Sequence, residues 1–239
     1  MTVGMVYGVG VGPGDPGLLT VRATEVLATA DVVVAPSARG DGVSLALDIA
    51  RPYLPPDCEI VTPELPMTEV RSTLEAAWAR TARSLAREAL AGRSAVFITL
   101  GDPTLYSTWG YVAAALREEV PQVPVETIPG VTSISACAAS AGIPLAQGRE
   151  PLLIWSEAPN DDMEHWLETI PNVVFMKAAA YLDCLADLVS GLEIDAVAMR
   201  RTGQAAADHT SDLRSWAGSY DYFTTVLAKR RAAIEGEKE

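Results

Sequence analysis

The stretch Met5-Val6-Tyr7-Gly8-Val9-Gly10-Val11-Gly12-Pro13-Gly14-Asp15-Pro16-Gly17-Leu18-Leu19 opens as an apolar run and closes in residues of helical period. Between them lie four glycines in the seven residues from Gly8 to Gly14. The apolar run predicts a strand over Met5–Val11. Beyond the glycines, Leu19, Ala23, Val26, Leu27 and Ala30 fall on one face of a helix predicted over Leu18–Ala30. Strand, glycine turn and helix in succession make the opening unit of an α/β fold. The glycines suit a tight turn, and equally a backbone that must approach a ligand closely. Gly12, Gly14 and Gly17 satisfy the GxGxxG spacing of dinucleotide sites, but the neighbours argue against that use. Pro13 and Pro16 remove two amide donors, and Asp15 would repel a pyrophosphate at the helix entry. After the second strand, where an acidic ribose ligand would stand, the chain has Ala35-Pro36.

The same alternation runs outward along the chain. Further strands are predicted over Asp31–Ala35, Glu59–Val61, Ala95–Leu100, Val123–Ile128, Leu152–Trp155, Val173–Lys177, Asp195–Arg200 and Tyr222–Ala228. Helices are predicted over Ser44–Tyr53, Glu69–Ala91, Leu105–Val120, Thr132–Ala141, Met163–Ile170 and Tyr181–Val189, with a short one near Asp212–Ala217. Strands and helices in this order imply mainly parallel pairing, at least in the first half. Pro121 and Pro124, after the acidic end of a helix, suggest a division into α/β domains at 1–121 and 122–239. The small, polar segment Arg201–Asp212 reads as a loop.

Composition narrows the function. The 239 residues are 49% hydrophobic, which fits a globular core, and carry 31 acidic against 18 basic side chains, a net charge of −13. A general nucleic-acid binder draws its affinity from clustered Lys and Arg, so nucleic acid is not an expected partner. Cys58, Cys137 and Cys184 are odd in number and widely spaced, which gives no disulfide framework and no CxxC metal site. No apolar run is long enough to span a membrane, and a cytoplasmic protein is expected. His165 and His209, the only histidines, lack carboxylates at metal-ligand spacing, so no metal site is expected. Trp78, Trp109, Trp166 and Trp216 sit in helical segments and read as packing residues.

Two later turns also follow apolar strands. In Leu100-Gly101-Asp102-Pro103-Thr104-Leu105-Tyr106-Ser107-Thr108, Pro103 can open a helix without wasting an amide. Asp102 then stands at the carboxyl end of a strand, where open α/β sheets bind ligands; as a helix cap it would serve structure alone. In Ile128-Pro129-Gly130-Val131-Thr132-Ser133, Thr132 or Ser133 can cap the next helix and offer hydroxyls and amides to a ligand.

Taken together and in order, these turns resemble the tetrapyrrole methylases, enzymes that use S-adenosylmethionine. The motifs are GVGPGDPGLLTVRA, ADVVVAP, GDPTLYSTWGYV and IPGVTSISACAASAGIPLA, and the resemblance covers most of the chain. Leu65-Pro66-Met67-Thr68 and Tyr222-Phe223-Thr224-Thr225-Val226 point toward members that methylate the C-20 meso carbon of precorrin-2 or its cobalt form. The resemblance implies two α/β domains with a cleft between them, a homodimer, and a tetrapyrrole substrate. By position it implies cofactor contacts at Val11, Pro13, Leu100, Gly101, Asp102, Leu105, Thr132, Ser133 and Met176. It places Gly12, Gly14, Asp15 and Tyr106 toward the tetrapyrrole. It names no catalytic residue, although Tyr106 and Glu25 are conceivable bases. Pro36 stands where uroporphyrinogen III methylases carry an acid, which weighs against that activity. A polycarboxylate substrate calls for local arginines, and Arg22 and Arg39 lie near the first two strand exits. Two alternatives stay open: a methylase of the same fold acting on another tetrapyrrole carbon or a non-tetrapyrrole substrate, and a non-catalytic ligand- or partner-binding module.

Overall fold

The computed structural model describes residues 2–37, 44–66, 68, 70–192 and 194–230. They group into two compact units, Met1–Thr132 and Ser133–Glu239. Arg39 and Met67, singled out above, lie outside the described residues.

The first unit is a five-stranded parallel sheet in the order β3-β2-β4-β1-β5. The strands are β1 (Val6–Gly10), β2 (Val32–Val34), β3 (Glu59–Val61), β4 (Ala95–Thr99) and β5 (Val125–Ile128). Alternate residues of each strand serve opposite faces. Val9, Val33, Val96 and Ile98 join one apolar cluster, with Ala23, Val26 and Leu27 of α1 (Val21–Leu27) and Leu47 and Ile49 of α2 (Leu45–Ala50). Val6, Val34 and Phe97 join the other, with Ala82, Leu85 and Ala86 of α3 (Arg71–Leu90) and Trp109, Val112 and Leu116 of α4 (Trp109–Glu119). A sheet covered on both faces needs strands apolar throughout, which is why β2 and β4 read as unbroken hydrophobic runs.

This topology fixes where a ligand can enter. β1 and β4 are neighbours, but the chain leaving β1 goes to the face of α1 and the chain leaving β4 goes to the face of α4. Diverging connections leave a crevice at the carboxyl ends of the two strands, the usual ligand position in open α/β sheets.

The second unit is a mixed sheet in the order β6-β7-β10-β8-β9. Its strands are β6 (Leu152–Trp155), β7 (Asn172–Met176), β8 (Ile194–Arg200), β9 (Asp208–Thr210) and β10 (Thr224–Arg230). Among the described residues of this sheet only β6 and β7 pair in parallel. Helices α6 (Met163–Thr169) and α7 (Leu182–Gly191) cover it through Met163, Leu167, Leu182 and Leu185, while α5 (Ser133–Ala141) leads into the unit.

Several boundaries differ from the sequence reading. The compact units divide after Thr132 where the sequence suggested residue 121, because β5 pairs with β1 and completes the first sheet. The loop expected over Arg201–Asp212 contains β9, whose polar Asp208-His209-Thr210 has no apolar alternation and is held by pairing with β8. The first helix starts at Val21, after a separate 3-10 turn over Pro16–Leu18, since the Thr20 hydroxyl accepts from the Ala23 amide at 3.1 Å. Pro103 does not open α4; that helix begins at Trp109, where the amide donates to the Ser107 hydroxyl at 3.2 Å. The segment near Asp212–Ala217 is a single 3-10 turn, Leu213–Trp216.

Candidate active site

Three strand exits of the first unit meet as bare backbone. The Gly12 amide donates to the Gly101 carbonyl at 3.2 Å, and the Gly101 amide donates to the Gly12 carbonyl at 2.7 Å. The turn after β1 is thereby stitched to the turn after β4. The turn after β5 lies against both: a Cβ on Gly130 would stand 2.2 Å from the Gly101 oxygen and 3.0 Å from the Gly10 Cα. A Cβ on Gly10 would meet the Gly101 oxygen at 2.5 Å and the Gly130 nitrogen at 2.9 Å. Main chains at this separation have no room for side chains between them.

Asp102, 8% exposed, locks the arrangement. One carboxylate oxygen accepts from the Thr104 amide at 2.7 Å and from the Thr104 hydroxyl, forming a local turn. The other accepts from the Gly130 amide at 2.9 Å, across to the third turn. Thr20 adds a second tie: while capping α1, its hydroxyl donates to the Pro129 carbonyl at 3.4 Å. At the centre, Gly101 is left-handed (φ 70°), and nothing lies within 4 Å of where its Cβ would project. The turn therefore presents naked backbone to open space at the crevice.

The remaining residues singled out from the sequence fall as follows. Val11, Gly12 and Pro13 are buried, and Leu100, Leu105, Gly14 and Thr132 are half-buried, all on the three turns that meet. Asp15 is exposed and accepts from the Gly17 amide at 2.8 Å, capping its own 3-10 turn. Tyr106 is half exposed with a left-handed backbone (φ 50°). Ser133 and Met176 belong to the second unit. There Met176 ends β7, and its carbonyl accepts from the Tyr181 hydroxyl at 2.7 Å. Burial pushes the Tyr181 phenol up to about 12, so it keeps its proton and its grip on that carbonyl across the ordinary pH range.

Arg22 is not a simple member of a cationic cluster. Its guanidinium lies 3.4 Å from Glu25 and 3.5 Å from Glu126, both exposed carboxylates. Glu25, considered above as a base, is thus ion-paired. Both histidines are exposed, and among the described residues no three His, Cys, Asp or Glu side chains could hold a metal ion. Trp109 is a packing residue, buried over Gly8, with its indole N–H donating to the Thr127 hydroxyl at 2.8 Å. The ties through Gly130 and Thr20 were not singled out from the sequence, since each joins residues far apart along the chain.

The family model for tetrapyrrole (corrin/porphyrin) methylases matches residues 5–211. The chain belongs to that family. Among curated relatives, this methylase is 40% identical over 175 residues to the cobalt-precorrin-2 C(20)-methyltransferase of Salmonella typhimurium, covering 73% of each chain. It is 36% identical to the cobalamin biosynthesis protein CobIJ of Mycobacterium bovis, over 98% of this chain and 48% of that one. Among solved structures, the methylase shares its fold with a cobalt precorrin-4 methyltransferase, at a TM-score of 0.72 and 20% identity over 94% of both chains. It also shares its fold with a uroporphyrin-III C-methyltransferase from Thermus thermophilus complexed with S-adenyl homocysteine, at a TM-score of 0.68 and 20% identity over 95% of this chain and 97% of that one. The expected α/β architecture of the tetrapyrrole methylase type agrees with these structures.

Proposed function

We propose that this methylase transfers a methyl group from S-adenosylmethionine to the C-20 meso carbon of precorrin-2 or its cobalt form, on the route to the corrin ring. The observation that carries the reading is the 40% identity with the Salmonella enzyme over most of both chains. The geometry of the first unit supports it. Diverging turns at the strand exits, with open backbone at Gly101 and with Pro13, Leu100 and Leu105 on the same turns, suit a cofactor with a flat base and a polar tail. We assign Val11, Pro13, Leu100, Gly101, Leu105 and Thr132 to that pocket, and, on the family resemblance alone, Ser133 and Met176 to further cofactor contacts. Asp102 belongs to it as the residue that holds the second and third turns together. Gly12, Gly14, Asp15 and Tyr106 are assigned to the tetrapyrrole side.

When bound, the cofactor supplies a methyl group on a positively charged sulfur, an electrophile that needs no further activation. The protein's task is alignment of that methyl with the attacking carbon, and orientation of this kind is worth on the order of 7–11 kcal/mol in well-aligned cases. That accords with turns braced by two backbone hydrogen bonds between Gly12 and Gly101 and by the Asp102 carboxylate across to Gly130. The reduced tetrapyrrole is electron-rich enough to attack by itself. The carbon–carbon bond forms as the sulfur–methyl bond breaks, and sulfur keeps the pair and leaves as S-adenosylhomocysteine. The proton on the methylated carbon is lost to solvent, and any cobalt arrives inside the substrate. The working form is proposed to be a homodimer in the cytoplasm; light scattering on the purified chain measures the stoichiometry.

The decisive experiment supplies carbon-labelled methyl donor and precorrin-2 and reads the product by NMR. A labelled methyl on C-20 is the expected result. Label on another carbon reassigns the regiochemistry, and no transfer to any tetrapyrrole overturns the reading. Titration calorimetry with S-adenosylhomocysteine separates an enzyme from a non-catalytic module of the same fold, which would take up none.

A further inference from the structure

A net charge of −13 is unfavourable for a substrate ringed by carboxylates, and Arg22 is divided between two carboxylates, Glu25 and Glu126. The second unit contains a different arrangement of positive charge. Its strands β7 and β8 lie on either side of β10, with Met176 paired to Thr225 and Arg200 paired to Thr224. One residue beyond each strand stands a cation, Lys177 after β7 and Arg201 after β8. With one strand between them, their backbones are about 10 Å apart on the same end of the sheet.

Both cations have left-handed backbones, φ 56° at Lys177 and φ 51° at Arg201. Among the described residues the only other non-glycine with positive φ is Tyr106; elsewhere such turns are made with glycine. A side chain kept where glycine would relieve the strain is a pointer to a job for that side chain. Each turn is also held from below. Behind Lys177, Ala178 and Ala179 are buried, and Tyr181 grips the Met176 carbonyl. At Arg201, the amide donates to the Phe223 carbonyl at 3.2 Å, and the following Thr202 is buried against the Cys137 sulfur at 3.2 Å.

The side chains are aimed as well as anchored. The Arg201 Nε donates to an Asp221 oxygen at 2.5 Å, and Asp221 is itself fixed by the Phe223 amide at 3.0 Å. This uses one edge of a guanidinium whose side chain is 43% exposed, beside a carboxylate only 13% exposed. The Lys177 Nζ sits 5.6 Å from the centre of the Tyr222 ring, which is 40% exposed. Two cations on the same end of the sheet, one of them beside an accessible aromatic ring, match the edge of a flat polycarboxylate: carboxylates at the rim, π-surface behind.

We propose that Lys177 and Arg201 bind two peripheral carboxylates of the tetrapyrrole, with Tyr222 against the macrocycle edge. The inference rests on the tetrapyrrole reading above and adds the residues that set its charge class. Lys177→Asn is the first variant, because asparagine tolerates the left-handed turn while removing the charge. Arg201→Gln is made together with Asp221→Asn, so that no half-buried carboxylate is stranded. Each variant is compared with the unaltered protein for KM toward precorrin-2, kcat, and affinity for S-adenosylhomocysteine.

Loss of one charge-assisted contact should raise KM for the tetrapyrrole on the order of tenfold. S-adenosylhomocysteine affinity and kcat should stay within about twofold, and Lys177→Arg should restore KM. An unchanged KM in Lys177→Asn, with the unaltered protein active, overturns this proposal and leaves the function standing. A fall in S-adenosylhomocysteine affinity also overturns it, by moving the cation to the cofactor. An unaltered protein that methylates no tetrapyrrole takes down the function, and this inference with it.

Discussion

Asp102 binds with one oxygen to its own turn and with the other to Gly130, twenty-eight residues on. Asp102→Ala would strand the Gly130 amide, at a cost of about 1–3 kcal/mol in stability, and would release the third turn from the second. Titration calorimetry should then show S-adenosylhomocysteine binding weakened by roughly tenfold or more, a loss of about 1.4 kcal/mol or beyond. Affinity equal to that of the unaltered protein would show that the turns hold their places without the carboxylate. Glycines give a sharper contrast. Gly130→Ala puts a methyl 2.2 Å from the Gly101 oxygen, backbone that cannot swing aside, and should abolish cofactor binding. Gly110→Ala, in the first turn of α4 with nothing within 4 Å, should leave binding intact and raise stability by up to about 1 kcal/mol in a denaturant melt. From sequence, Asp102 reads as either a cap or a ligand. Its actual partner across to Gly130 is invisible there, because a contact between distant turns leaves no local periodicity or spacing to read.

Elements were legible where packing writes itself into period. The apolar runs of β2 and β4 are continuous because both sheet faces are covered, and α3 announces itself through Ala82, Leu85, Ala86 and Ala89 on its inward side. β9 carries no such mark, since the main-chain ladder to β8 and the Arg200–Asp208 ion pair that hold it leave no apolar period in the sequence. The start of α4 was misplaced for a related reason: Pro103 satisfies the rule for a first helical turn, but Asp102 captures Thr104 into a turn of its own and delays the helix to Trp109. The seat of α4 on the sheet can be tested. A Cβ on Gly8 would lie 2.0–2.4 Å from the Trp109 indole, so β1 is indented to receive that ring. Gly8→Ala should destabilise the protein by about 1–3 kcal/mol through overpacking. Trp109→Leu alone leaves a cavity and costs about as much or more, but the pair together should cost less than the sum of the two. Additive losses in urea unfolding would mean that the indole and the strand do not share one space.

At the scale of the molecule, charge and chemistry pull in opposite directions, and the two act over different distances. The 31 acidic residues against 18 basic ones set a repulsive field that a polycarboxylate meets before it touches anything. Lys177 and Arg201 act only on contact, where salt screens them less. Long-range fields govern mainly the association rate, and close desolvated pairs mainly the dissociation rate. Stopped-flow absorbance with the tetrapyrrole should therefore show association becoming faster as ionic strength rises from about 0.01 M to about 0.1 M, while the Debye length falls from about 30 to about 10 Å. In Lys177→Asn the same acceleration should persist, since one charge barely alters the net field, but dissociation should be faster at every salt concentration. Association that slows as salt is added would mean that the positive residues dominate the approach as well as the contact, and that the net charge of the chain is not what the substrate feels.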